Sequence, residues 1–491
     1  MNRSQKTEKL TNLFLNFYPF TLLLVFIRIF IVPVTFGPIT KNVNLNLFAL
    51  FFIVIFAVIV ALLNTNFSAK KITKMFKSIL PPLLLIGLAN LISVFFSHYK
   101  IFSFLFFSQL AISYGLALAS VLWYTLLKQQ TAHIYTKLIY RFYKILLGIN
   151  IYNFLLQIIQ FITIAILKEN YLNLPILIKR ILFNGYFLAE VPPQRWDFST
   201  YYIRPPGLLA DTNVNAMFIL ISLLIFFTTY MFLNLFTTQK QQHYKLIKIS
   251  KLGIFINSFA YLFSLSRSAM LGFAPLALII LITSWQINKN KTIKSLINLI
   301  TPYVAIFIIS LITFASISTT RHFMQNIGTK YIYNITHLSK DKSTYLHMLY
   351  SRVAIKLAEK NNYKPFGIGT FPRIYKEQVS RLLPNGASPH SLYATTLMEQ
   401  GAIGLFLYTI AFIYIWIIYF KNLQTFKKYS KNSQKNIKLY HIFSLSLNNA
   451  IPFLTLSTIF YYGFWDISTW FYGLRNTFDI IQNNEKTKKE K

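Results

Sequence analysis

The chain contains no cysteine in 491 residues. This absence excludes disulfide bonds, thiolate metal sites and a cysteine nucleophile. Acidic residues are also scarce, because 13 Asp and Glu stand against 49 Lys and Arg, and no Asp-x-Asp pair occurs. The sequence therefore lacks the carboxylate pattern that would hold a divalent cation. No internal repeat is evident, which argues against the paired halves from which many secondary transporters are built.

Apolar residues, by contrast, are abundant, at 55% hydrophobic and 17% aromatic. This composition is too apolar for a soluble globular protein. A run of about 18 or more apolar residues predicts a transmembrane helix, because about 20 residues cross the hydrocarbon core. The runs at 250–264 and 464–482 are short or polar and would need support from neighbouring helices. Twelve runs are predicted to span the membrane: 17–36, 45–63, 79–97, 101–127, 138–166, 214–236, 250–264, 268–286, 296–318, 399–420, 440–461 and 464–482.

The placement of charge predicts how these spans are oriented. Lysine accumulates at both termini and in alternate loops, namely 64–78, 128–144, 237–251, 287–295 and 421–439. The other short loops hold only Lys41, Lys100 and Arg267. By the positive-inside rule, both termini and the lysine-rich loops face the cytoplasm. The net charge of +36 is then mostly this topological signal, with attraction to anionic lipid, and does not indicate a nucleic-acid partner. The first span lacks a small-residue cleavage site, so we expect it to be retained.

This topology predicts an all-α polytopic membrane protein with a large, partly helical outer loop. In that loop, residues 345–361 have the apolar spacing of an amphipathic helix, and Pro365 to Gly369 predict a turn after it. We therefore expect an ordered cap over the membrane domain. The predicted parts are membrane helices 1–5 (1–166), an outer loop (167–213), membrane helices 6–9 (214–318), the large outer loop (319–398), and membrane helices 10–12 with a basic tail (399–491).

Arginine is distributed differently from lysine. Lysine suffices for topology, whereas arginine is preferred where a planar, permanently charged group must bind phosphate or carboxylate. For any single arginine, anchoring at lipid headgroups is an equally good interpretation. As a set, they favour an anionic, phosphate-bearing ligand on the outer face. Eight of the 12 arginines lie on that predicted face: Arg180, Arg195, Arg204, Arg267, Arg321, Arg352, Arg373 and Arg381.

Two outer clusters are built around an arginine. Residues 204–213 read RPPGLLADTN, in which Arg204 supplies a cation, while Asp211 and Asn213 suit helix capping. Residues 264–271 read SLSRSAML, which places Arg267 in a tight turn between two spans. An ionisable residue so close to hydrocarbon is costly and indicates a functional site, with interfacial anchoring as the alternative.

The third cluster is His390 with Glu399 and Gly401, at the junction between the large outer loop and the next span. Histidine is the side chain most easily poised to take a proton near neutral pH. Glu399 could orient His390, or it could simply lie at a helix start, where acids are favourable. The remaining histidines are interpreted as structural: His98, His133, His243, His322, His337, His347 and His441.

These clusters resemble the motifs of the O-antigen ligase/polymerase family of polytopic membrane enzymes. The segment Arg204-x-x-Gly207-Leu208, with Asp211-x-Asn213 after it, looks like the family's first arginine motif. Arg267-x-x-x-Leu271 is similar to the ligases' arginine–x3–leucine motif. The spacing from His390 to Gly401 is similar to their histidine–x10–glycine motif. The resemblance covers about 200–405 of the chain.

Further residues agree with the resemblance or depart from it. Ser391 stands where Asn is common, and Thr212 stands where Pro is usual. Neither change removes a group with an evident chemical role. The residues in register with the family are Glu399, Gly404 and the turn residues Pro365, Gly367 and Gly369.

The resemblance implies a GT-C-like architecture and a metal-independent, inverting glycosyl transfer without a cofactor. The donor would be an undecaprenyl-diphosphate-linked glycan in the bacterial inner membrane, and the acceptor lipid A-core or another glycan. Without a metal, fixed cations must neutralise the leaving diphosphate, and we assign this to Arg204 and Arg267, with Arg352 as a third candidate. His390 would be the general base, with Glu399 and Gly401 supporting it.

The motif spacings favour an O-antigen ligase over an O-antigen polymerase. A protein O-oligosaccharyltransferase is a further alternative within the enzyme class. From another class, a lipid-linked glycan flippase would share the spans and the outer arginines, but it should have a polar pathway through the membrane. The predicted spans are sparse in charge apart from Arg28 and Arg475, which argues against transport.

Overall fold

Helices account for most of the residues that the computed structural model describes. They are α1 (Arg3–Phe17), α2 (Asn46–Leu63), α3 (Leu80–Phe96), α4 (Lys100–Gln129), α5 (Ala132–Leu167), α6 (Thr212–Phe236), α7 (Lys240–Ser264), α8 (Arg267–Ile287), α9 (Lys342–Lys360), α10 (Phe371–Gln378), α11 (Leu392–Glu399) and α12 (Gly401–Asn432). Residues 289–301 and 441–448 are helical as well. The structure describes residues 3–21, 31–36, 39–44, 46–64, 80–167, 207–208, 212–236, 240–264, 267–301, 342–379, 391–432, 439 and 441–448.

A β-hairpin replaces the end of the first predicted span. Strands β1 (Ile31–Phe36) and β2 (Ile39–Asn44) pair antiparallel, from Ile31 opposite Asn44 to Phe36 opposite Ile39. The prediction of a helix through residue 36 is therefore wrong for 31–36. The physical reason is local: β1 is rich in β-branched residues, and Gly and Pro follow it in the sequence, a pattern that favours strands and turns.

Five of the described helices are long and apolar enough to cross a membrane: Lys100–Gln129, Ala132–Thr163, Asn215–Phe236, His243–Ser264 and Gly401–Ser430. Three shorter apolar helices cover Ala49–Leu63, Leu80–Phe96 and Gly272–Ile287. All eight coincide with predicted spans. The span 464–482 lies outside the described residues, and 296–318 and 440–461 lie there in part, so the total of twelve stays a prediction.

Helix α7 is longer than its predicted span. The apolar run suggested 250–264, with 237–251 as a loop, but the helix begins at Lys240. Lysines and glutamines are good helix formers, so the chain enters the helix before its apolar part begins. With these extra turns, the helix from His243 to Ser264 is long and apolar enough to cross a membrane.

Helix α6 forms the centre of the bundle. The apolar window of α6 is completely buried within the protein, and α6 packs against α5, α7 and α8. A helix that is apolar all round is expected to be covered on every side.

The structure contains the amphipathic helix predicted at 345–361, as part of α9, and the turn predicted at Pro365 to Gly369. Helix α9 buries Ala354, Leu357 and Ala358, whereas Arg352 and Lys356 are exposed, as an amphipathic helix requires. The buried side joins Phe366, residues of α10 and residues of α11 in a second apolar cluster, separate from the main core. Tyr99, from the turn between α3 and α4, packs against this cluster. The cap and that turn therefore lie at the same end of the bundle, which the charge pattern predicts to be the outer end.

Candidate functional site

The predicted site residues fall into two groups in the structure. His390 and Arg204 lie outside the described residues. Arg267 is the first residue of α8, and Arg352 is exposed on α9. Glu399 ends α11 and Gly401 begins α12. The structure therefore describes two parts of the site: residues 391–401, which follow His390, and the turn at Gly207 and Leu208, which follows Arg204.

Glu399 binds the turn between α9 and α10. Its side chain is 1% exposed, and its carboxylate accepts hydrogen bonds from the amide of Gly369 at 2.8 Å and the amide of Phe371 at 3.0 Å. A buried carboxylate is tolerated only when it is hydrogen-bonded in this way, and each charge-assisted bond contributes about 1.5–3 kcal/mol. Phe371 is the first residue of α10, where a helix favours negative charge. Glu399 therefore lies at a helix start, but at the start of α10 rather than of its own helix.

The backbone of Glu399 makes a second set of contacts. Its carbonyl oxygen accepts hydrogen bonds from the amide of Gly367 at 2.9 Å and from the hydroxyl of Ser93 at 3.1 Å. Ser93 belongs to the membrane helix α3. One residue thus connects the cap turn, the end of α11 and a membrane helix.

Gly401 is required by the backbone at the same junction. Its φ is +72°, a left-handed conformation that side chains disfavour. A Cβ atom there would lie 2.6 Å from the carbonyl oxygen of Tyr363, and the next amide, of Ala402, donates to that same oxygen at 3.0 Å. The close approach of the cap turn to the start of α12 therefore depends on glycine.

Gln400, the residue between α11 and α12, is hydrogen-bonded to the membrane helices. Its side-chain amide donates to Asn90 Oδ1 at 3.3 Å, and the hydroxyl of Tyr408 donates to the same oxygen at 3.1 Å. Asn90 in turn donates to the hydroxyl of Tyr114 at 2.9 Å. The network links α3, α4 and α12 beneath the cap, and nothing in the sequence pattern had singled it out.

Ser391 explains why the departure from the family's usual residue is tolerated. It is the N-cap of α11, and its side chain accepts a hydrogen bond from the amide of Ala394. Serine and asparagine are both among the best N-cap residues. Ser391 can therefore begin the helix next to His390 as an asparagine would.

An exposed cluster fixes α10 to the end of the membrane bundle. The Arg373 guanidinium lies 4.1 Å from the centre of the Tyr99 ring and forms an ion pair with Glu377 at 3.1 Å. The Tyr99 hydroxyl donates to the Glu377 carboxylate. This hydrogen bond, with help from Arg373, holds the pKa of Glu377 below its usual value. Arg373, one of the eight arginines predicted to face outward, is thus paired with the ionised Glu377. Its contact with Tyr99 holds α10 against the turn between α3 and α4.

The turn that follows Arg204 is held by amide side chains of α5. The Gly207 amide donates to Gln160 Oε1 at 2.8 Å, and Gln160 Nε2 donates back to the Gly207 carbonyl at 3.0 Å. Asn153 Oδ1 accepts from the amide of Leu208 at 2.9 Å. Gly207 has φ +65° and is buried. The first arginine motif therefore continues into a turn that is embedded in the bundle.

Comparison with known proteins gives one family and no individual relative. Residues 252–409 match the family described as O-antigen ligase. Neither the curated proteins nor the solved structures give a match. The matched segment runs from α7 to α12 and contains Arg267, Arg352, His390, Glu399 and Gly401, whereas Arg204 precedes it.

The family implies an O-antigen ligase or polymerase-like function and, in general, lipid-linked glycan substrates. The apolar helices agree with the membrane protein that such a function requires. Residues 252–409 are therefore similar to the O-antigen ligase family, and this match supports an assignment of the chain to that family.

Proposed function

We propose that the protein is an O-antigen ligase of the bacterial inner membrane. It transfers a polysaccharide from undecaprenyl diphosphate to the lipid A-core acceptor on the periplasmic face. The family match over residues 252–409 carries this proposal, because it spans both ligase-like spacings, Arg267 to Leu271 and His390 to Gly401. The contacts of Gly401 support it by giving the second spacing a physical reason.

In the proposed reaction, an acceptor hydroxyl attacks the anomeric carbon of the donor sugar. The new carbon–oxygen bond forms as the bond from that carbon to the diphosphate breaks, with inversion. The hydroxyl proton passes to His390, a general base expected to contribute about 10²–10⁴-fold in rate. Undecaprenyl diphosphate leaves with its negative charge, which Arg204 and Arg267 stabilise in place of a metal ion.

Arg352 is the third proposed cation. It lies on the exposed side of α9, facing away from the buried Ala354, Leu357 and Ala358. Unlike Arg373, it is within 4 Å of no acidic side chain among the described residues. Its guanidinium therefore remains available to an anionic group that approaches the cap from the outer side.

The nearest alternative is an O-antigen polymerase that joins lipid-linked repeat units, since the same arginines and base would serve both reactions. A protein O-oligosaccharyltransferase differs only in its acceptor. A flippase would need no base beneath a capped outer loop. These functions differ in the product that accumulates when the protein is removed.

The lipopolysaccharide profile of a deletion strain tests the proposal. For a ligase, we expect bare core together with accumulated long lipid-linked glycan. Wild-type protein should restore the ladder, whereas His390→Ala, Arg204→Ala and Arg267→Ala should not, although each inserts normally in the membrane. His133→Ala, at an exposed histidine on α5, is the control and should restore it.

The same profile separates the alternatives. Core that carries a single repeat would indicate a polymerase and overturn the ligase assignment. An unaltered lipopolysaccharide ladder would reject both functions. Full complementation by His390→Ala would remove the assignment of the general base while leaving the family assignment in place.

A further inference from the structure

Helix α5 carries a row of buried amide side chains inside the membrane domain. Asn150, Asn153, Gln157 and Gln160 are each at most 1% exposed. Their spacing of three, four and three residues places them on one face of the helix. Polar groups buried in a helix that is apolar enough to cross a membrane are costly and indicate a functional site.

The amide row faces the turn after Arg204. A Cβ atom on Gly207 would lie 2.4 Å from Asn153 Oδ1 and 2.4 Å from Asn215 Nδ2. Asn215 belongs to the first turns of α6. Amide side chains from two helices therefore converge on this turn, on the side where Gln160 already binds Gly207.

Several of these groups have no hydrogen-bond partner among the residues that the structure describes. They are Asn153 Nδ2 and both polar side-chain atoms of Gln157 and of Asn215. Flipping the side-chain amide of Gln157 or Asn215, which exchanges its oxygen and nitrogen, would not create a hydrogen bond, because both atoms are unpaired. A buried amide left unpaired bears the full cost of its lost hydration, so these groups require a partner enclosed with them.

The chemistry of the unpaired atoms defines that partner. Donors and acceptors are both present, and the amides carry no charge. A phosphate or a carboxylate would find no cation among them, and a polyprenyl chain would leave them unpaired. A hydroxyl group, which both donates and accepts, satisfies them.

We infer that Gln157 and Asn215, with Asn153, bind hydroxyl groups of the donor's proximal sugar, the sugar bonded directly to the diphosphate. The inference rests on the proposed function, in which Arg204 binds that diphosphate. Arg204 is three residues before Gly207, so at most about 11 Å of chain separates them. A sugar attached to the diphosphate is within reach of the amides, which would make Gln157 and Asn215 specificity determinants.

The test uses purified protein and two lipid-diphosphate donors that differ by one hydroxyl of the proximal sugar. Gln157→Leu and Asn215→Leu should lower kcat/KM for the complete donor by about 10–100-fold. Both variants should discriminate less between the two donors than the wild type does. The matched control is Asn257→Leu, because Asn257 is equally buried on α7 but donates to Gly253 of its own helix at 2.7 Å.

Wild-type kcat/KM and unchanged discrimination in the two variants would show that the amides only enclose water, and would overturn the inference. If Gln157→Leu folds poorly, Gln157→Met preserves the length of the side chain without its hydrogen bonds and replaces it. If the wild type transfers neither donor, the proposed function fails separately. Equilibrium binding of both donors to wild-type and Gln157→Met protein then decides the inference, and equal affinities would reject it.

Discussion

At the scale of single residues, Glu399 shows how a motif residue can act through the backbone. The sequence left two roles open for it, orienting His390 or lying at a helix start. The structure places its carboxylate on the amides of Gly369 and Phe371, at the end of α11 opposite to Ser391. Eight helical residues span about 12 Å, so these contacts lie a helix length away from the residue that follows His390. We therefore interpret Glu399 as a positioning residue that fixes α11 at its far end.

Replacing Glu399 by Gln should destabilise the protein by about 1–3 kcal/mol, because a carboxamide presents one oxygen where two backbone donors converge. Thermal unfolding in detergent, together with protease cleavage within 361–379, measures the effect. Glu359→Gln is the control, since Glu359 is an exposed acid on α9. An unchanged unfolding midpoint and cleavage rate for Glu399→Gln would show that the carboxylate does not hold the cap.

At the scale of elements, the junction between α11 and α12 sets the place of the cap. One helix ends at Glu399 and the next begins at Gly401, so Gln400 alone separates them. The left-handed Gly401 turns the chain there, and the carbonyl of Tyr363 fits against it. A short α11 fixed at this junction also fixes the position of its N-cap residue, Ser391.

Gly401→Ala should disrupt the junction. The left-handed backbone alone costs about 1 kcal/mol for alanine, and the contact of 2.6 Å with the Tyr363 oxygen must be relieved in addition. We expect a lower unfolding midpoint and a loss of transfer activity. Gly148→Ala is the matched control, because a Cβ there meets nothing within 4 Å and a helix interior favours alanine. Equal behaviour of the two variants would contradict this account of the histidine–x10–glycine spacing.

At the scale of the whole molecule, the described helices agree with the alternation that the charge pattern predicts. The cap, the turn at Tyr99, the turn at Gly207 and the start of α8 all lie at the helix ends assigned to the outer side. Among the described lysine-rich segments, the end of α4 and the starts of α5 and α7 lie at the opposite helix ends in chain order. The described parts of the motifs therefore lie at helix ends that the charge pattern assigns to one side of the membrane.

The natural absence of cysteine makes the orientation directly testable. A membrane-impermeant maleimide should label Lys360→Cys, at the exposed end of α9, in intact spheroplasts. Lys428→Cys, exposed near the end of α12, should be labelled only after the membrane is permeabilised. The wild-type chain, with no cysteine, is the blank. Labelling in the reverse pattern would invert the topology and place the motifs on the cytoplasmic side.

The sequence by itself determined the membrane class, the position of most described helices and the motif residues. Apolar runs and the contrast between lysine and arginine are local properties, and they persist whatever the chain packs against. The hairpin at 31–44 and the early start of α7 show the limit, because strand preference and helix propensity do not follow hydropathy alone.

Only the tertiary structure decided what the motif residues contact. Glu399 meets amides 28 and 30 residues away in sequence, and Ser93 meets Glu399 across 306 residues. The convergence of Asn153 and Asn215 on Gly207 depends on how α5 packs beside α6. Spacing along a chain determines which residues share a helix face, but contacts between distant segments depend on packing.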